Sequence, residues 1–568
     1  MTRHLRFSTA FVSLILNFFG WTQVRAQGTL QIGSDPFTNS ASQHLTEVEP
    51  QVYASGSTIV ATFQQGRTYE GGSSDVGFST STDSGLTWQE GSLPGITVWA
   101  GGDRYDRVSD PSIAYNAAFG VWLIVTLPVG NGNREIFVSR SGDGFNWDDP
   151  ITVYSAGPPS SFDKTWMTCD NSPVSPFFGN CYTEWDDVGR GGVILMSAST
   201  DGGATWALPL NTADQATGLG GQPLVQPSGR VVVPYTTFSS VRAFISDDGG
   251  SSWSSSVSAA AITEHPVAGG LRDFNLPSAA IDGDGLVYVV WADCRFRFRC
   301  GANDVVMMTS SDGVSWSGVT RVPIDDIGSS ADHFLGAIGA DRNSFAPNTG
   351  LTVLYYYYPV ADCTTETCQL VAGFMTSSDG GNSWSDPADL AGPMSLSWLP
   401  STISGLMVGD YFSVVYTDDG VPHPVFAAAT EPTGTFFESM FSTCAGCATH
   451  ARSRAKIAAE GEVASSEAGR VAAVNNGWWQ PGPAQSETGA LLISAEAYRV
   501  NIGTVLPLSA SGPAAESFPV LWEVEEGATG GSVSGGVYTA PLSPGLYHLV
   551  VRAGAEKARL AIKVFTVQ

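Results

Sequence analysis

The sequence predicts an all-β fold assembled from repeated small sheets, and three observations predict it. An eight-residue pattern ending in tryptophan recurs between residues 81 and 384, short alternating apolar runs precede each copy, and glycine is abundant at 65 of 568 residues. Ser199 to Trp206 reads STDGGATW; Ser81 to Trp88, Ser246 to Trp253 and Ser377 to Trp384 are close relatives. Shorter variants end at Trp147 and Trp316, so the pattern occurs six times. A recurrence at roughly 40 to 60 residues marks a repeat architecture in which each unit is one supersecondary element.

Local chemistry explains the recurrence. Gly203 and its equivalents supply the positive φ of a tight turn, and Asp201 folds its carboxylate back onto backbone N–H groups. Thr205 starts the next strand, and Trp206 pins the hairpin against its neighbour. The acidic residues Asp83, Asp143, Asp201, Asp248, Asp312 and Asp379 are therefore read as turn residues. The octet resembles the Asp-box, or BNR repeat, of sialidases and related β-propellers. That resemblance implies a multi-bladed β-propeller, with the boxes lying away from the active site.

The chain opens with Arg3 and Arg6, an apolar run from Phe11 to Trp21, and Val24-Arg25-Ala26, the pattern of a secretory leader over residues 1–26. The expectation is a secreted or cell-surface protein with no transmembrane segment. A formal net charge of −27 repels phosphate backbones, which excludes nucleic acid as a partner. The eight cysteines form four local pairs, Cys169–Cys181, Cys294–Cys300, Cys363–Cys368 and Cys444–Cys447. Export favours reading them as loop-stapling disulfides over a zinc site. No cofactor or metal is implied. Asp282-Gly283-Asp284-Gly285 reads as a tight β-turn rather than a calcium loop, since it lacks further ligands.

In order, Gly28 to Gly33 reads as a lone strand that closes the ring. Inner strands begin with a polar residue and a small or proline step at Glu49-Pro50, Asp110-Pro111, Cys181, Gln222-Pro223, Leu276-Pro277, Leu335 and Gly409. Second strands follow at Thr58 to Phe63, Val121 to Thr126, Arg230 to Tyr235, Leu286 to Trp291 and Leu351 to Tyr358. Seven starts favour seven blades over six, with the N-terminal strand completing the last. Tyr355 to Tyr358 alternate, two toward the core and two toward a groove. The propeller is assigned residues 27–441, and residues 442–491 form a partly helical or flexible connector. Residues 492–568 carry W-x-V, G-x-Y-T-A-P and a final V-x-V strand, which resemble a bacterial Ig-like β-sandwich.

The sialidase resemblance implies a particular catalytic set: three arginines for a carboxylate, a tyrosine activated by a glutamate, and an aspartic acid. Val48, in Glu47-Val48-Glu49-Pro50, stands where the first arginine belongs. Gly221 or Gln222 replaces the activating glutamate, and Thr236 and Thr237 lie near the second arginine. Tyr411 matches the nucleophile region, and Arg67 and Asp75 resemble an E-x-R segment and the acidic stretch before the first box. Asp75 fits either an acid/base group or a turn cap. Arg67, Arg104, Trp166, Trp185, Asp186, Arg272 and His333 are candidates to bind substrate, with rings stacking on the tryptophans. The expected partner is an extracellular glycan or glycoprotein, bound or hydrolysed. An adhesion or scaffold protein without catalysis is the alternative.

Overall fold

The computed structural model describes residues 28–130 and 132–444. Further on it describes 484–485, 492–495, 499–501, 505–511, 515, 519–524, 531–534, 536–543, 545–553 and 556–565. The leader, most of the connector and Cys447 lie outside the described residues, so the readings placed on them, including Cys444–Cys447, lie there too.

The N-terminal part is an all-β propeller of antiparallel sheets. Strand β1 spans Gly28–Gln31. Strands β2 (Glu47–Ser55), β3 (Thr58–Arg67), β4 (Ser73–Ser81) and β5 (Gln89–Ser92) are followed by β6 (Arg107–Asn116), β7 (Val121–Val129), β8 (Glu135–Ser141) and β9 (Ile151–Ser155). A three-stranded sheet comprises β10 (Phe162–Cys169), β11 (Cys181–Asp187) and β12 (Val193–Ser199). Three four-stranded sheets come next: β13 (Leu224–Val225), β14 (Val231–Thr236), β15 (Ser240–Ser246), β16 (Val257–Ala261); then β17 (Ser278–Ile281), β18 (Val287–Asp293), β19 (Asp304–Ser310), β20 (Thr320–Arg321); then β21 (Asp332–Ala340), β22 (Leu351–Tyr358), β23 (Gln369–Ser377), β24 (Ala388–Ser395). After a small hairpin of β25 (Ser401–Thr402) and β26 (Gly405–Leu406), the last sheet joins β27 (Ser413–Tyr416), β28 (Pro422–Ala429) and β29 (Glu438–Cys444) to β1.

The expectation of seven or six separate blades is corrected. Five sheets stand alone as blades, whereas β2 to β9 form one continuous eight-stranded sheet. The join is a single register pair, Ser73 opposite Val108, which links β4 to β6. The Ser73 hydroxyl seals it by donating to the Val108 carbonyl at 3.0 Å, and Arg107 Nη1 donates to the Gly71 carbonyl at 2.9 Å.

Strand periodicity builds the core. In β7, Val121, Leu123, Val125 and Leu127 face β10 and β11, while Trp122 and Ile124 face β3 and β4. In β18, Val287, Val289 and Trp291 pack on Leu224 and Val232, and Tyr288 and Val290 pack on Leu351 and Val353. A middle strand buried on both faces reads as a continuous apolar run, and each such side chain contributes roughly 1.5–3 kcal/mol. Of the tyrosine run, Tyr355, Tyr356 and Tyr358 are buried in the core, leaving only Tyr357 half-buried.

The innermost strands are tied to one another by side chains that accept from the backbone next door. Gln51 Oε1 accepts from Ile113 N–H at 2.6 Å, Ser112 Oγ from Met167 N–H at 3.1 Å, and Gln222 Oε1 from Ala279 N–H at 2.8 Å. Ser278 Oγ accepts from Ile338 N–H at 3.2 Å, and Ser413 Oγ from Val52 N–H at 3.4 Å, where the last sheet meets the first. These bonds satisfy N–H groups that the inner sheet edges would otherwise leave unpaired.

Four of the six repeated turns share one hydrogen-bond scheme, and the two shorter ones vary it. Asp201 accepts from Thr205 N–H at 2.9 Å, Thr205 Oγ1–H at 2.6 Å and Ser199 Oγ–H at 2.9 Å. Asp83, Asp248 and Asp379 repeat it with Thr87, Ser252 and Ser383. In the shorter versions Asp143 and Asp312 accept from the N–H groups two and three residues on, at 2.7 to 2.8 Å. Asp282 is likewise a turn residue, accepting from Leu286 N–H at 2.9 Å and Thr349 Oγ1–H at 2.8 Å. Disulfides join Cys169 to Cys181, Cys294 to Cys300 and Cys363 to Cys368. The C-terminal strands form one five-stranded sheet and one four-stranded sheet.

Candidate active site

The site is organised by bulges in the innermost strands. Register slips occur between Val48 and Gln51, between Ser109 and Ser112, and between Asp163 and Thr165. At each slip a residue takes positive φ: Glu49 at 57°, Asp110 at 50° and Lys164 at 41°. Such φ values are unusual for residues with a Cβ, and a bulge re-aims the side chain it carries. The proline steps Glu49-Pro50 and Asp110-Pro111 lie at these slips, where a missing N–H costs no ladder bond. All three side chains line one cavity of about 660 Å3, together with Arg67, Asp163, Arg272, Phe238, Phe274 and Asp410.

Two guanidinium groups are fixed in its wall. Arg272 grips Asp410 with both ends of its fork, Nε donating to Oδ1 at 2.8 Å and Nη2 to Oδ2. Phe274 lies beneath the Arg272 plane, its ring centre 4.6 Å from Cζ. Arg67 is buried; it faces Glu438 at 3.5 Å and donates to the Met407 carbonyl at 3.4 Å. Glu49 accepts from Gln64 Nε2 and from Asp410 N–H, the latter at 3.3 Å.

The carboxyl groups of the floor bind protons tightly. Burial pushes Asp110 up to about 7, and the neighbouring Asp163 charge adds to the rise. Asp163 is open to the cavity yet walled by protein, and that desolvation raises it, with the Asp410 charge contributing. Burial holds Glu49 well above the ordinary range, reinforced by Asp410 and Asp110. Behind them, Glu184 and Asp186 are also raised, first by burial and then, for Glu184, by the Asp186 charge. Asp186 accepts from Gly220 N–H at 2.9 Å.

The structure brings Arg67 and Arg272 to this cavity and places the other candidates elsewhere. Tyr411 lies beneath it, buried, its hydroxyl donating to the Pro111 carbonyl at 3.3 Å. Burial raises its phenol well above 10, so it stays protonated and has no free oxygen with which to attack. Asp75 is buried in β4 away from the cavity, and burial raises its carboxyl well above the ordinary range. Arg104 sits on the outside, 3.0 Å from Glu135. Trp166 is buried edge-on to Tyr411, with ring centres 5.4 Å apart. Trp185 is a core residue between Tyr154 and Phe162, because alternation along β11 turns it opposite to Glu184 and Asp186. Asp186 is buried behind the floor. His333 is buried against Tyr355 and Tyr357, and burial lowers it to about 4.

Asp304, Asp325 and His333 offer ligand atoms within 4.8 Å of one another. Arg297 already pairs with both carboxylates at 2.7 Å, and Arg321 with Asp304 at 2.8 Å. The cluster is a neutralised ion network.

Sequence reasoning did not read Glu49, Asp110 and Asp410 as site residues, and within the stretches Asp163 to Trp166 and Glu184 to Asp187 it chose Trp166, Trp185 and Asp186 over Asp163, Lys164 and Glu184. The repeated polar-proline step at inner-strand starts was the available signal for the first two. Glu184 explains the glycine at position 221: a Cβ there would meet the Glu184 carboxyl carbon at 2.7 Å.

No protein-family model matches the chain, and no curated protein matches it. Among solved structures it is similar to a Hadza microbial sialidase, 14% identical over 70% of this chain and 65% of that one, with a TM-score of 0.36. The NanB sialidase from Streptococcus pneumoniae is 16% identical over 73% of this chain and 70% of that one, with a TM-score of 0.37. An ulvan lyase of polysaccharide lyase family 25 is 12% identical over 73% of this chain and 94% of that one, with a TM-score of 0.42. The structures similar to this chain thus include sialidases and another glycan-active enzyme.

Proposed function

We propose that this chain binds and hydrolyses glycans in the cavity floored by Asp110 and Asp163, through carboxyl acid/base chemistry. The observation that carries the reading is that pair: two aspartates lining one cavity of about 660 Å3, one of them pushed up to about 7 by burial and by the charge of the other. Like charges in one enclosed site disfavour double ionisation, so the pair can hold one proton between them. That is the division of labour glycoside hydrolysis needs. The protonated carboxyl delivers its proton to the glycosidic oxygen as the bond breaks, and the ionised one takes a proton from the attacking water. Asp410, clamped by Arg272, is a fixed negative charge beside the developing oxocarbenium centre. The exposed Phe238 offers an apolar face to a sugar ring. The sialidase set of Tyr411 and its glutamate is not used.

The wider reading is a member of the Asp-box propeller family, exported by its leader and carrying an Ig-like C-terminal module that spaces or anchors the propeller. The serine-aspartate-glycine-tryptophan turns, residues 1–26 and the C-terminal strand motifs support it. A hydrolysis screen on neutral oligosaccharides and sialosides, with Asp163→Asn as control, tests the central claim. Hydrolysis that falls by roughly 10²–10⁴ in the variant is the expected result. Neither hydrolysis nor glycan binding by the parent protein would favour the adhesion or scaffold alternative. N-terminal sequencing of the exported chain, expected to begin at Gln27, tests the leader.

A further inference from the structure

We propose that Lys164 is the fixed hydrogen-bond donor of this cavity and that it selects an uncharged sugar ring, one hydroxyl accepting from Nζ while a neighbouring hydroxyl donates to Asp110 or Asp163. The inference rests on the glycan reading above and names its substrate class.

Lys164 lines the cavity with only 4% of its surface exposed, and its Nζ has no hydrogen-bond partner among the described residues. Aromatic faces hold the amine from below: the Tyr411 ring centre is 3.4 Å away and that of Trp166 is 4.3 Å away. A ring face attracts a cation but accepts no directed bond in place of an oxygen, so the donors remain unspent. The bulge at Asp163–Thr165 and the positive φ of Lys164 set the backbone from which this enclosed side chain leaves the strand. A polar group left this way in a desolvated site is costly until something accepts from it.

Charge around the amine defines what that acceptor can be. Asp110 from β6, Glu49 from β2, Glu184 from β11 and Asp410 ahead of β27 all act on it electrostatically, and Asp163 precedes it on its own strand. The cavity lining carries the acidic Glu49, Glu70, Asp110, Asp163 and Asp410 against Arg67, Lys164 and Arg272. Both arginines are committed, to Glu438 and Asp410. A carboxylated or sulfated sugar could accept from Nζ, but its charge would meet Asp410 and the ionised member of the Asp110–Asp163 pair, and its anionic group has no proton to donate to a carboxylate. A hydroxyl accepts and donates at once, and a vicinal pair satisfies Nζ and a carboxylate together.

Calorimetric titration of neutral and uronate- or sialate-capped oligosaccharides into the parent, Lys164→Met, Lys164→Gln and Asp163→Asn proteins tests this, with thermal melts alongside. The parent is expected to bind the neutral series at least tenfold more tightly than the acidic one. Lys164→Met should weaken neutral binding at least tenfold with Tm unchanged or raised, and Lys164→Gln, which retains an N–H donor, should lose less. Equal or tighter binding of acidic sugars by the parent overturns the inference. So does a Lys164→Met protein that binds like the parent, or one whose Tm falls while Lys164→Gln also melts early, since the lysine is then a structural counter-charge. If Asp163→Asn abolishes binding and Lys164→Met does not, this inference fails and the glycan reading stands. If the parent binds no glycan, both fail.

Discussion

The aspartates of the repeated turns and those of the inner-strand bulges occupy opposite ends of the same sheets and meet opposite electrostatic fates. In the sheet of β10 to β12, Ser199 at the turn end pairs with Cys181, while Asp187 at the cavity end pairs with Val193. At the turn end, partial burial works to raise Asp201, but hydrogen bonds from Thr205 and Ser199 win and hold it below its ordinary value. At the cavity end, Asp110 and Asp163 are desolvated without such a cage and rise. One residue type thus serves as a self-satisfied turn at one end and as a proton carrier at the other. Local N–H and hydroxyl donors decide which, not the presence of the carboxyl itself.

The largest test of that contrast is catalytic. Asp110→Asn and Asp163→Asn should each lower kcat by roughly 10²–10⁴, whereas Asp201→Asn should leave it within about twofold, measured on one neutral oligosaccharide. Stability should follow the reverse geography. Gln51→Ala strands the buried Ile113 N–H and should cost about 1–3 kcal/mol in denaturant unfolding, without entering the cavity chemistry. Asp201→Ala removes the acceptor for Thr205 and should cost about 0.5–2 kcal/mol, the range for losing a comparable capping side chain.

A different kind of effect is in the pH dependence. Glu47 is pushed up to about 8 by burial, against hydrogen bonds from Gln65, Met440 and Ser439. Its folded pKa exceeds its unfolded one, so its contribution is fully present below about 4.5 and is lost as pH rises toward 8. Asp201 has the opposite sign: its contribution is present above its unfolded pKa and disappears as pH falls through the lower folded value. Melts of the parent should therefore decline on both sides, and Glu47→Gln should flatten the arm between pH 5 and 8. An unchanged arm in that variant would assign the decline to other buried carboxyls.

The turns were the legible part of this chain because their chemistry is local: serine, aspartate, glycine and tryptophan within eight residues contain every partner they use. Two-residue alternation exposed the strands, and the closing role of Gly28 to Gly33 followed from an unpaired strand at one end and an incomplete sheet at the other. The join of β4 to β6 had no such sign, since one pair between Ser73 and Val108 decides it. The cavity was hidden for a related reason. Its residues come from β2, β6, β10 and the segments before β17 and β27, and a bulge shifts the parity that alternation relies on. Trp185 was chosen beside Asp186, although neighbours in a strand point apart; Glu184 was the residue sharing the Asp186 face.

Strand β1 adds four residues to the outer edge of β29, with Gly28 opposite Cys444 and Gln31 opposite Phe441. The ring is therefore closed by pairing between distant parts of the chain, not by a covalent link, and a chain shortened past Gln31 would keep its sheets but expose β29 as a vacant pairing edge. Such an edge recruits whatever extended segment is nearest, at high concentration the equally bare β29 edge of another copy. Shortened preparations should accordingly drift toward dimers paired edge to edge, and a synthetic peptide of residues 28–33 should compete with that pairing.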